Sequence, residues 1–184
     1  MRIAAHKSAT VQANTDEPLR KLEQVRAIRN ILAEKPRDLL LFTLGTSNAL
    51  RVWDLLKLTV GEVRKVKAGD SISIAESKSG RKTVLVMNRR SHEALRNYPE
   101  WAKPDDDDHL FKSKKGNEPL TVPSVKRLVR QWAGAAKVQG RFGAQSLRKT
   151  WGYIQHVEFG VPVEVISRRF LHGSPDETAA YLGL

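Results

Sequence analysis

The sequence contains no cysteine, and its five histidines are scattered along the chain. Disulfides and thiolate metal sites are therefore excluded, and no local zinc motif is formed. The longest apolar runs, such as residues 39–44, are far shorter than the roughly 20 residues that span a bilayer. The N-terminus also lacks the apolar stretch of a signal peptide. These absences predict a cytoplasmic protein that uses no metal and enters no membrane.

Acidic side chains are scarce relative to basic ones, since 32 Lys and Arg face 20 Asp and Glu, giving a formal net charge of +12. Such a charge attracts polyanions and raises the rate at which they are encountered. Nucleic acid is therefore the first partner to expect, although the same excess occurs on basic surfaces that are merely solvated. The length of 184 residues and the 40% hydrophobic content suit one globular domain.

Helical periodicity covers most of the chain after its first 16 residues, which are polar and aperiodic and indicate an arm or linker. Asp16 is a suitable cap for a helix whose first turn contains Glu17 and Pro18. Further helices are predicted near residues 37–46, 50–56, 91–98, 122–136, 144–159, 163–170 and 175–181. The fold class is therefore predicted to be mainly α, with a smaller β component.

Three short segments show partial alternation and β-branched residues, which is typical of strands. They lie at residues 60–66, 71–76 and 82–87. The connections, residues 67–70 and 77–80, have the composition of turns. We therefore expect a small three-stranded antiparallel sheet at one edge of the helical domain.

The C-terminus contains a break in helical structure that affects two side chains. Ser174 and Glu177 form a Ser-x-x-Glu capping box with proline at the first helical position, so a new helix is predicted to begin at Ser174. Without this break, His172 and Tyr181 would lie on opposite faces of one helix, roughly 13 Å apart along its axis. With it, both can reach one site. Taken alone, each is more often structural, as a packing tyrosine or a capping or core histidine.

The motif Leu-His-Gly-Ser-Pro-x-x-Thr-x-x-Tyr-Leu-Gly, starting at Leu171, resembles the C-terminal signature of the tyrosine recombinases, or phage integrase family. There a histidine precedes the nucleophilic tyrosine by nine positions, as His172 precedes Tyr181 here. Three upstream segments resemble other family motifs in the same order: residues 49–56, 77–80 and 145–150. Each motif is weak alone, but four in order are specific. The resemblance covers about residues 19–184.

The resemblance implies a site that cuts and rejoins double-stranded DNA through a 3′-phosphotyrosyl intermediate at Tyr181. A phenol is only about 0.1% ionised at pH 7, so a cationic pocket is required around it. Arg51 and Arg148 would bind the scissile phosphate and stabilise the transition state. Lys78 would protonate the departing 5′-oxygen, with Lys82 as the alternative general acid. No metal or other cofactor is implied.

The remaining site residues follow from the same resemblance. His172 is expected to hydrogen-bond the phosphate, and Asp54 to orient Arg51 from the same helix, unless that pair is only a surface ion pair. Lys149 is expected to contact DNA together with Arg51, Lys78 and Arg148. Gln145 stands where the family usually has histidine, and it can hydrogen-bond the phosphate but cannot take a proton.

For the domains, the resemblance predicts an arm or linker at residues 1–16, a catalytic domain at residues 17–184 and no N-terminal DNA-clamping domain. It also implies self-assembly on DNA, as a tetrameric synapse, and a bacterial or phage protein on the nucleoid. Two alternatives to recombination stay open. One is a non-catalytic DNA-binding relative in which Gln145 marks lost activity. The other is an enzyme that relaxes supercoils by the same chemistry without exchanging strands.

Overall fold

The computed structural model describes residues 16–76, 80–99, 105–114 and 116–184. The helices of this part are α1 (Leu22–Ile31), α2 (Pro36–Ser47), α3 (Val52–Leu55), α4 (Val60–Arg64), α5 (Arg89–Arg96), α6 (Val122–Ala135), α7 (Ala144–Val157), α8 (Val163–Phe170) and α9 (Pro175–Leu182). Two strands, β1 (Ser71–Ala75) and β2 (Lys82–Val86), form an antiparallel sheet. The predicted mainly helical fold with a small antiparallel sheet is confirmed. None of these helices is both long enough and apolar enough to cross a membrane.

The prediction of a strand at residues 60–66 is wrong, because this segment begins as the helix α4. Thr59 caps it: its hydroxyl accepts a hydrogen bond from the Glu62 N–H at 3.4 Å, and the Glu62 carboxylate accepts one from the Thr59 N–H at 2.8 Å. Val60 and Val63, one turn apart, are both fully buried. A Thr-x-x-Glu capping box and this spacing favour helix over the β propensity of valine. The sheet therefore has two strands in the described part of the chain.

The first helix also begins later than predicted, at Leu22 rather than Glu17. Residues 16–20, which we call the strap, lie instead across the start of α7. The Leu19 N–H donates to the Thr150 hydroxyl at 2.9 Å, and the Gln145 N–H donates to the Asp16 carboxylate at 3.1 Å. Asp16 therefore satisfies the N-terminus of α7 rather than that of α1, a contact across 129 positions that local patterns do not reveal.

The main hydrophobic core surrounds α2, which is buried on several faces. Phe42 packs edge-on against Trp132 of α6 with ring centroids 5.9 Å apart. Gly45 allows α7 to approach closely, because a Cβ at this position would lie 2.8 Å from Leu147 Cδ1. Leu147 belongs to the same core, so the first half of α7 is anchored in the centre of the domain.

A second, smaller cluster holds the C-terminal helices against α7. Its buried members are Ala49, Ile166, Phe170 and Leu182. Gly152 of α7 faces this cluster, and a Cβ there would lie 2.6 Å from Phe170 Cζ and 3.0 Å from Leu182 Cδ2. The small cluster therefore depends on close contact at a glycine, as the main core does at Gly45.

The chain reverses between α8 and α9, as predicted. Leu171 ends α8 in the left-handed conformation with φ of 57°. The Ser174 hydroxyl then accepts a hydrogen bond from the Glu177 N–H at 3.1 Å, and the Glu177 carboxylate accepts one from the Gly173 N–H at 2.7 Å. These caps begin a new helix at the predicted position. The reversal folds the segment before α9, which contains His172, back onto the second half of α9.

Candidate active site

The N-terminal turns of α7 present Gln145 and Arg148 on one face, because residues three apart on a helix are neighbours. Asp16 of the strap receives the Gln145 N–H, as described above, and the Ser146 hydroxyl receives the Gly143 N–H at 3.0 Å. The first turn is thereby fixed by side chains from outside and inside the helix. Gln145 and Arg148 consequently have set positions.

Arg148 is a buried cation, with 3% of its surface exposed. Its Nη2 donates to the Phe170 carbonyl at 2.6 Å, and its guanidinium lies 4.5 Å from the centroid of the Phe170 ring. Burial lowers the pKa of Arg148 to about 10; the phenol of Tyr181 opposes this shift and the charge of Arg51 adds to it. Arg148 therefore remains charged at neutral pH. Its buried Nε has no hydrogen-bond partner among the described residues.

Arg51 precedes α3 and forms an ion pair with Glu76, the residue that follows β1. The Glu76 carboxylate is almost fully buried, whereas about a quarter of the Arg51 side chain is exposed. Asp54, on α3, is also buried, and its charge raises the pKa of Arg148. The Glu76 carboxylate therefore stabilises the charge of Arg51, and the Asp54 carboxylate stabilises the charge of Arg148.

His172 lies in the reversal between α8 and α9. Its Nδ1 is 2.9 Å from the Thr178 hydroxyl, and its ring centroid is 5.1 Å from those of Phe170 and Tyr181. Burial lowers the pKa of His172 below its usual value, and the charges of Arg148 and Arg51 lower it further while Glu177 opposes them. The imidazole is therefore neutral at pH 7.

The Tyr181 hydroxyl donates a hydrogen bond to Gln145 Oε1 at 2.8 Å. Burial raises the pKa of Tyr181 to about 12, although the charges of Arg148 and Arg51 act to lower it; Asp16 adds to the rise. The phenol is therefore protonated in the unliganded site. A hydrogen bond to a neutral amide oxygen also favours the protonated form.

Lys149 adds a third cation beside the phenol. Its Nζ donates to the Asp16 carbonyl at 2.7 Å and lies 4.7 Å from the centroid of the Tyr181 ring. Burial lowers the pKa of Lys149, opposed by the charges of Asp16 and Glu17. The phenol ring is consequently covered by an ammonium group that the strap holds in place.

These side chains place a cluster of positive charge beside one hydroxyl group. Guanidinium groups are suited to phosphate oxygens, which they bind with two parallel hydrogen bonds. The hydroxyl is the group that could attack a phosphorus atom held there. The arrangement can therefore bind a phosphodiester and place a phenol next to it.

Residues 20–184 match the sequence pattern of the Phage integrase family. The match covers most of the chain. The chain belongs to this family. The family resemblance stated from four short motifs is thereby confirmed.

A curated relative from Bacillus subtilis (strain 168), described as the probable integrase/recombinase YoeC, is 29% identical over 169 residues. The alignment covers 91% of the present chain and 90% of the relative. This relative and the family pattern both fit a bacterial or phage origin.

Solved structures of phage integrase family recombinases share the fold. The XerA recombinase matches with a TM-score of 0.75 at 19% identity, covering 91% of this chain and 61% of that one. XerH bound to its difH substrate in a pre-cleavage complex matches with a TM-score of 0.71 at 16% identity, covering 92% and 50%. A lambda integrase dimer bound to a COC′ core site gives 0.65 at 17%, covering 98% and 50%. The chain therefore spans half to three fifths of these relatives.

Five of the side chains predicted from family motifs lie close enough to interact with one another: Arg51, Gln145, Arg148, His172 and Tyr181. Lys78 lies outside the described residues. Lys82 is exposed at the start of β2, opposite Ala75. The DNA contact predicted for Lys149 stays a prediction. The Lys149 side chain is buried beneath the strap.

Other residues of the site were not predicted from the sequence. Glu76 forms an ion pair with Arg51, Asp16 holds Gln145 and Lys149, and Thr178 contacts His172. Only Thr178 carried a signal, since it lies three residues before Tyr181 and therefore on the same helix face. The contacts of Glu76 and Asp16 join distant segments, and nothing local marks them.

Proposed function

We propose that this chain is the catalytic domain of a site-specific DNA recombinase or integrase, which cuts DNA by forming a 3′-phosphotyrosyl bond at Tyr181. The observation that carries the proposal is the Tyr181 hydroxyl, held on Gln145 and within the electrostatic reach of Arg51 and Arg148. The net charge of +12 supports double-stranded DNA as the partner. The DNA complexes of XerH and lambda integrase support the same partner.

The proposed reaction is an in-line transesterification. The Tyr181 oxygen attacks the phosphorus as its proton passes to solvent water, the bond to the 5′-oxygen breaks, and that oxygen leaves as a hydroxyl after gaining a proton. The phosphotyrosyl ester conserves the energy of the broken bond, so a 5′-hydroxyl can reverse the reaction without ATP. Exchange of strands between two duplexes follows when the attacking hydroxyl comes from the other duplex.

The phenol must lose its proton for this reaction, and the burial of Tyr181 opposes that loss. With the pKa of Tyr181 at about 12, ionisation at pH 7 is uphill by roughly 7 kcal/mol. Arg148 and Arg51 already lower this pKa, and any further stabilisation must act on charge that develops in the transition state. Gln145 orients the hydroxyl but cannot take the proton.

The two arginines are proposed to hold the scissile phosphate. Arg148 uses one nitrogen for the Phe170 carbonyl, and its buried Nε lacks a partner within the described residues, so this donor is suited to a phosphate oxygen. Arg51 is directed by Glu76, which keeps its guanidinium near Arg148 despite their like charges. Asp54 supports Arg148 electrostatically, and this is the orienting role we propose for it.

Lys78 is proposed as the general acid for the 5′-oxygen, with exposed Lys82 as the alternative. Lys78 lies in sequence between β1 and β2, and Lys82 begins β2; Glu76, the partner of Arg51, follows β1. His172 is proposed to donate its Nε2 proton to the phosphate. This requires Nδ1 to accept from the Thr178 hydroxyl at 2.9 Å, in place of the hydrogen bond that this hydroxyl donates to the Ser174 carbonyl at 3.3 Å. Lys149 is proposed to keep its contact with the Tyr181 ring and to bind nearby DNA.

A DNA-binding relative that does not cut is the second candidate function. It is favoured by the hydrogen bond from Tyr181 to Gln145, a neutral acceptor where the family resemblance predicts histidine. An enzyme that relaxes supercoils without strand exchange is a third. In each case we propose that residues 17–184 are the DNA-acting domain, that the chain self-assembles on DNA, and that it is a bacterial or phage protein located on the nucleoid.

Covalent capture on a nicked, labelled duplex tests the proposal. We expect an adduct that survives denaturation for the wild type and none for Tyr181→Phe, because phenylalanine cannot form a phosphoester. The loss of the hydrogen bond to Gln145 should cost about 1 kcal/mol of unfolding free energy. Tyr153→Phe is the matched control and should keep the adduct. Strand exchange between two marked duplexes then separates recombination from relaxation.

An adduct that persists in Tyr181→Phe, or that mass spectrometry maps to Tyr98 or Tyr153, would show that the nucleophile is wrongly assigned. If the wild type binds the duplex but forms no adduct, the second candidate function replaces the first.

A further inference from the structure

A second basic pocket lies between α1, α2, α5 and α7, with a volume of about 220 Å³. Its lining includes Arg29, Thr43, Asn88, Arg90 and Phe159. Neither Tyr181 nor the four predicted side chains around it line this pocket, so within the described residues it is separate from the candidate active site.

Positive charge is concentrated at this pocket. The helix α5 begins with two arginines, Arg89 and Arg90, and has no acidic residue in its first turn. A helix N-terminus carries a partial positive charge, so cations in the first turn are unfavourable and an anion there is stabilised. Arg29 adds a further guanidinium from α1, and the charge of Arg90 lowers its pKa in addition to burial. These like charges converge on one pocket.

The nearby acidic group does not neutralise this charge. Glu93 raises the pKa of Arg29, but its carboxylate is bound to the Arg89 guanidinium at 3.2 Å. In the described part of the chain, neither Arg29 nor Arg90 forms an ion pair. The pocket therefore keeps an excess of positive charge.

Two buried polar atoms at the pocket also lack hydrogen-bond partners among the described residues. They are Nε of Arg29 and the hydroxyl of Thr43, and Thr43 is only 3% exposed. Leaving a buried donor unpaired is unfavourable, and such groups in folded proteins commonly have a partner. Both side chains line the pocket, and both atoms are donors of the kind that an anion accepts from.

We propose that this pocket binds a phosphate-class anion between Arg29, Arg90 and the N-terminal turn of α5. The guanidinium groups and the helix N-terminus supply the charge and N–H donors that phosphate oxygens require, and the Thr43 hydroxyl supplies a further donor. The anion is either a free phosphorylated compound or a phosphate of the DNA backbone. The proposal does not depend on cleavage at Tyr181.

Titration of the ¹⁵N-labelled full chain with inorganic phosphate, against chloride at equal ionic strength, tests the site by NMR. We expect saturable shifts in the amide signals of the first turn of α5. Arg29→Gln should weaken the affinity by about tenfold or more, since it removes a charge-assisted hydrogen-bond donor. Arg90→Gln should weaken it less, because that side chain is exposed.

Arg26→Gln is the matched control, since Arg26 is an exposed arginine of the same helix whose partner is Glu23. It should bind phosphate as the wild type does. Circular dichroism in chloride checks that each variant is folded. Non-saturable shifts, or equal affinity in wild type and folded Arg29→Gln, overturn the proposal.

Duplex DNA then distinguishes the two sources of phosphate. If the site binds the DNA backbone, DNA displaces inorganic phosphate, and Arg29→Gln reduces the slope of log affinity against log salt by about 0.9, the value for one contact. If the site binds a free phosphorylated compound, phosphate stays bound when DNA is present and the slope is unchanged. Both outcomes support an anion site.

Discussion

The two halves of the candidate active site rest on different parts of the molecule. Arg51 and Arg148 lie beside Leu50 and Leu147, which belong to the main hydrophobic core. Tyr181 and His172 belong to the C-terminal segment, which packs on a separate cluster of four buried residues. The backbone of both cations is thus anchored in the part of the domain that dominates its stability, and the Arg148 guanidinium also contacts Phe170 of the small cluster. The nucleophile is positioned by a small accessory cluster.

This difference implies that cleavage and stability respond to different substitutions. A change in the main core should lower the stability of the whole domain while the folded molecules keep their site geometry. A change in the small cluster should move Tyr181 relative to Arg148 at little cost to the rest of the fold. Gly45 and Gly152, both close-contact positions on helices, offer a matched pair of tests.

The largest effect is expected for Gly152→Ala. Its new methyl group would overlap Phe170 and Leu182, so α8 and α9 must shift away from α7. A displacement of about 1 Å can cost roughly 100-fold in rate when reacting groups lose alignment. We expect single-turnover cleavage of a nicked duplex to fall by about that factor. Unfolding free energy should change by no more than about 1–2 kcal/mol, because helix propensity offsets part of the strain.

Gly45→Ala is the control, because its methyl group would overlap Leu147 in the main core. It should lower the unfolding free energy by a similar or larger amount, yet cleavage per folded molecule should stay within about threefold of wild type. Equal rate losses in the two variants would show that the two halves are not separable. The rates are compared well below both melting temperatures.

A smaller effect, in the opposite direction, is expected for Gln145→His. A histidine at this position replaces the amide that receives the Tyr181 hydroxyl and can itself take the proton. We expect the cleavage rate at pH 7 to rise about tenfold or more. Gln145→Asn, which lacks a titratable group, should give no such rise.

The pH profile gives this prediction a second measurement. The raised pKa of Tyr181, about 12, means that its phenolate fraction in the wild type grows with pH across the whole neutral range. The wild-type rate should therefore keep rising above pH 8, whereas Gln145→His should level off above the histidine pKa of about 6.5. Undetectable cleavage in both proteins at every pH would favour the relative that binds DNA without cutting it.

The parts of the site that followed from sequence are those fixed by local chemistry. The break before Ser174 is set by a capping box and a proline within a few residues, so it could be predicted, and with it the meeting of His172 and Tyr181. The helix that follows Thr59 carries an equally local signal, its capping box, but the β propensity of its valines favours a strand. These competing signals explain why the predicted strand is wrong.

The contacts that could not be predicted join segments far apart in the chain. The same Asp16 pattern that suggests a cap for α1 serves α7 instead, because the strap folds across Gln145 and Thr150. The Arg51–Glu76 ion pair likewise depends on how the β1–β2 hairpin lies against α3. Such pairings follow from tertiary packing, which single-sequence patterns do not contain.

The smallest effect is expected at Asp16, which touches both halves of the site from the strap. Asp16→Asn keeps an oxygen that can accept from the Gln145 N–H, but it removes the negative charge that raises the pKa of Tyr181. We therefore expect the pKa of Tyr181 to fall below its wild-type value of about 12. Loss of the charge at the N-terminus of α7 should cost about 0.3–1 kcal/mol of unfolding free energy.

Near-ultraviolet absorbance at alkaline pH, as a difference from the matching Tyr181→Phe protein, isolates the ionisation of this one phenol. Glu17→Gln is the control, since Glu17 lies in the same strap and pairs with Arg141 at the surface. It should leave the Tyr181 titration where it is. If Asp16→Asn raises the pKa instead, the loosened strap has let Lys149 or Arg148 move away from the phenol, and the role of Asp16 is then to hold these cations.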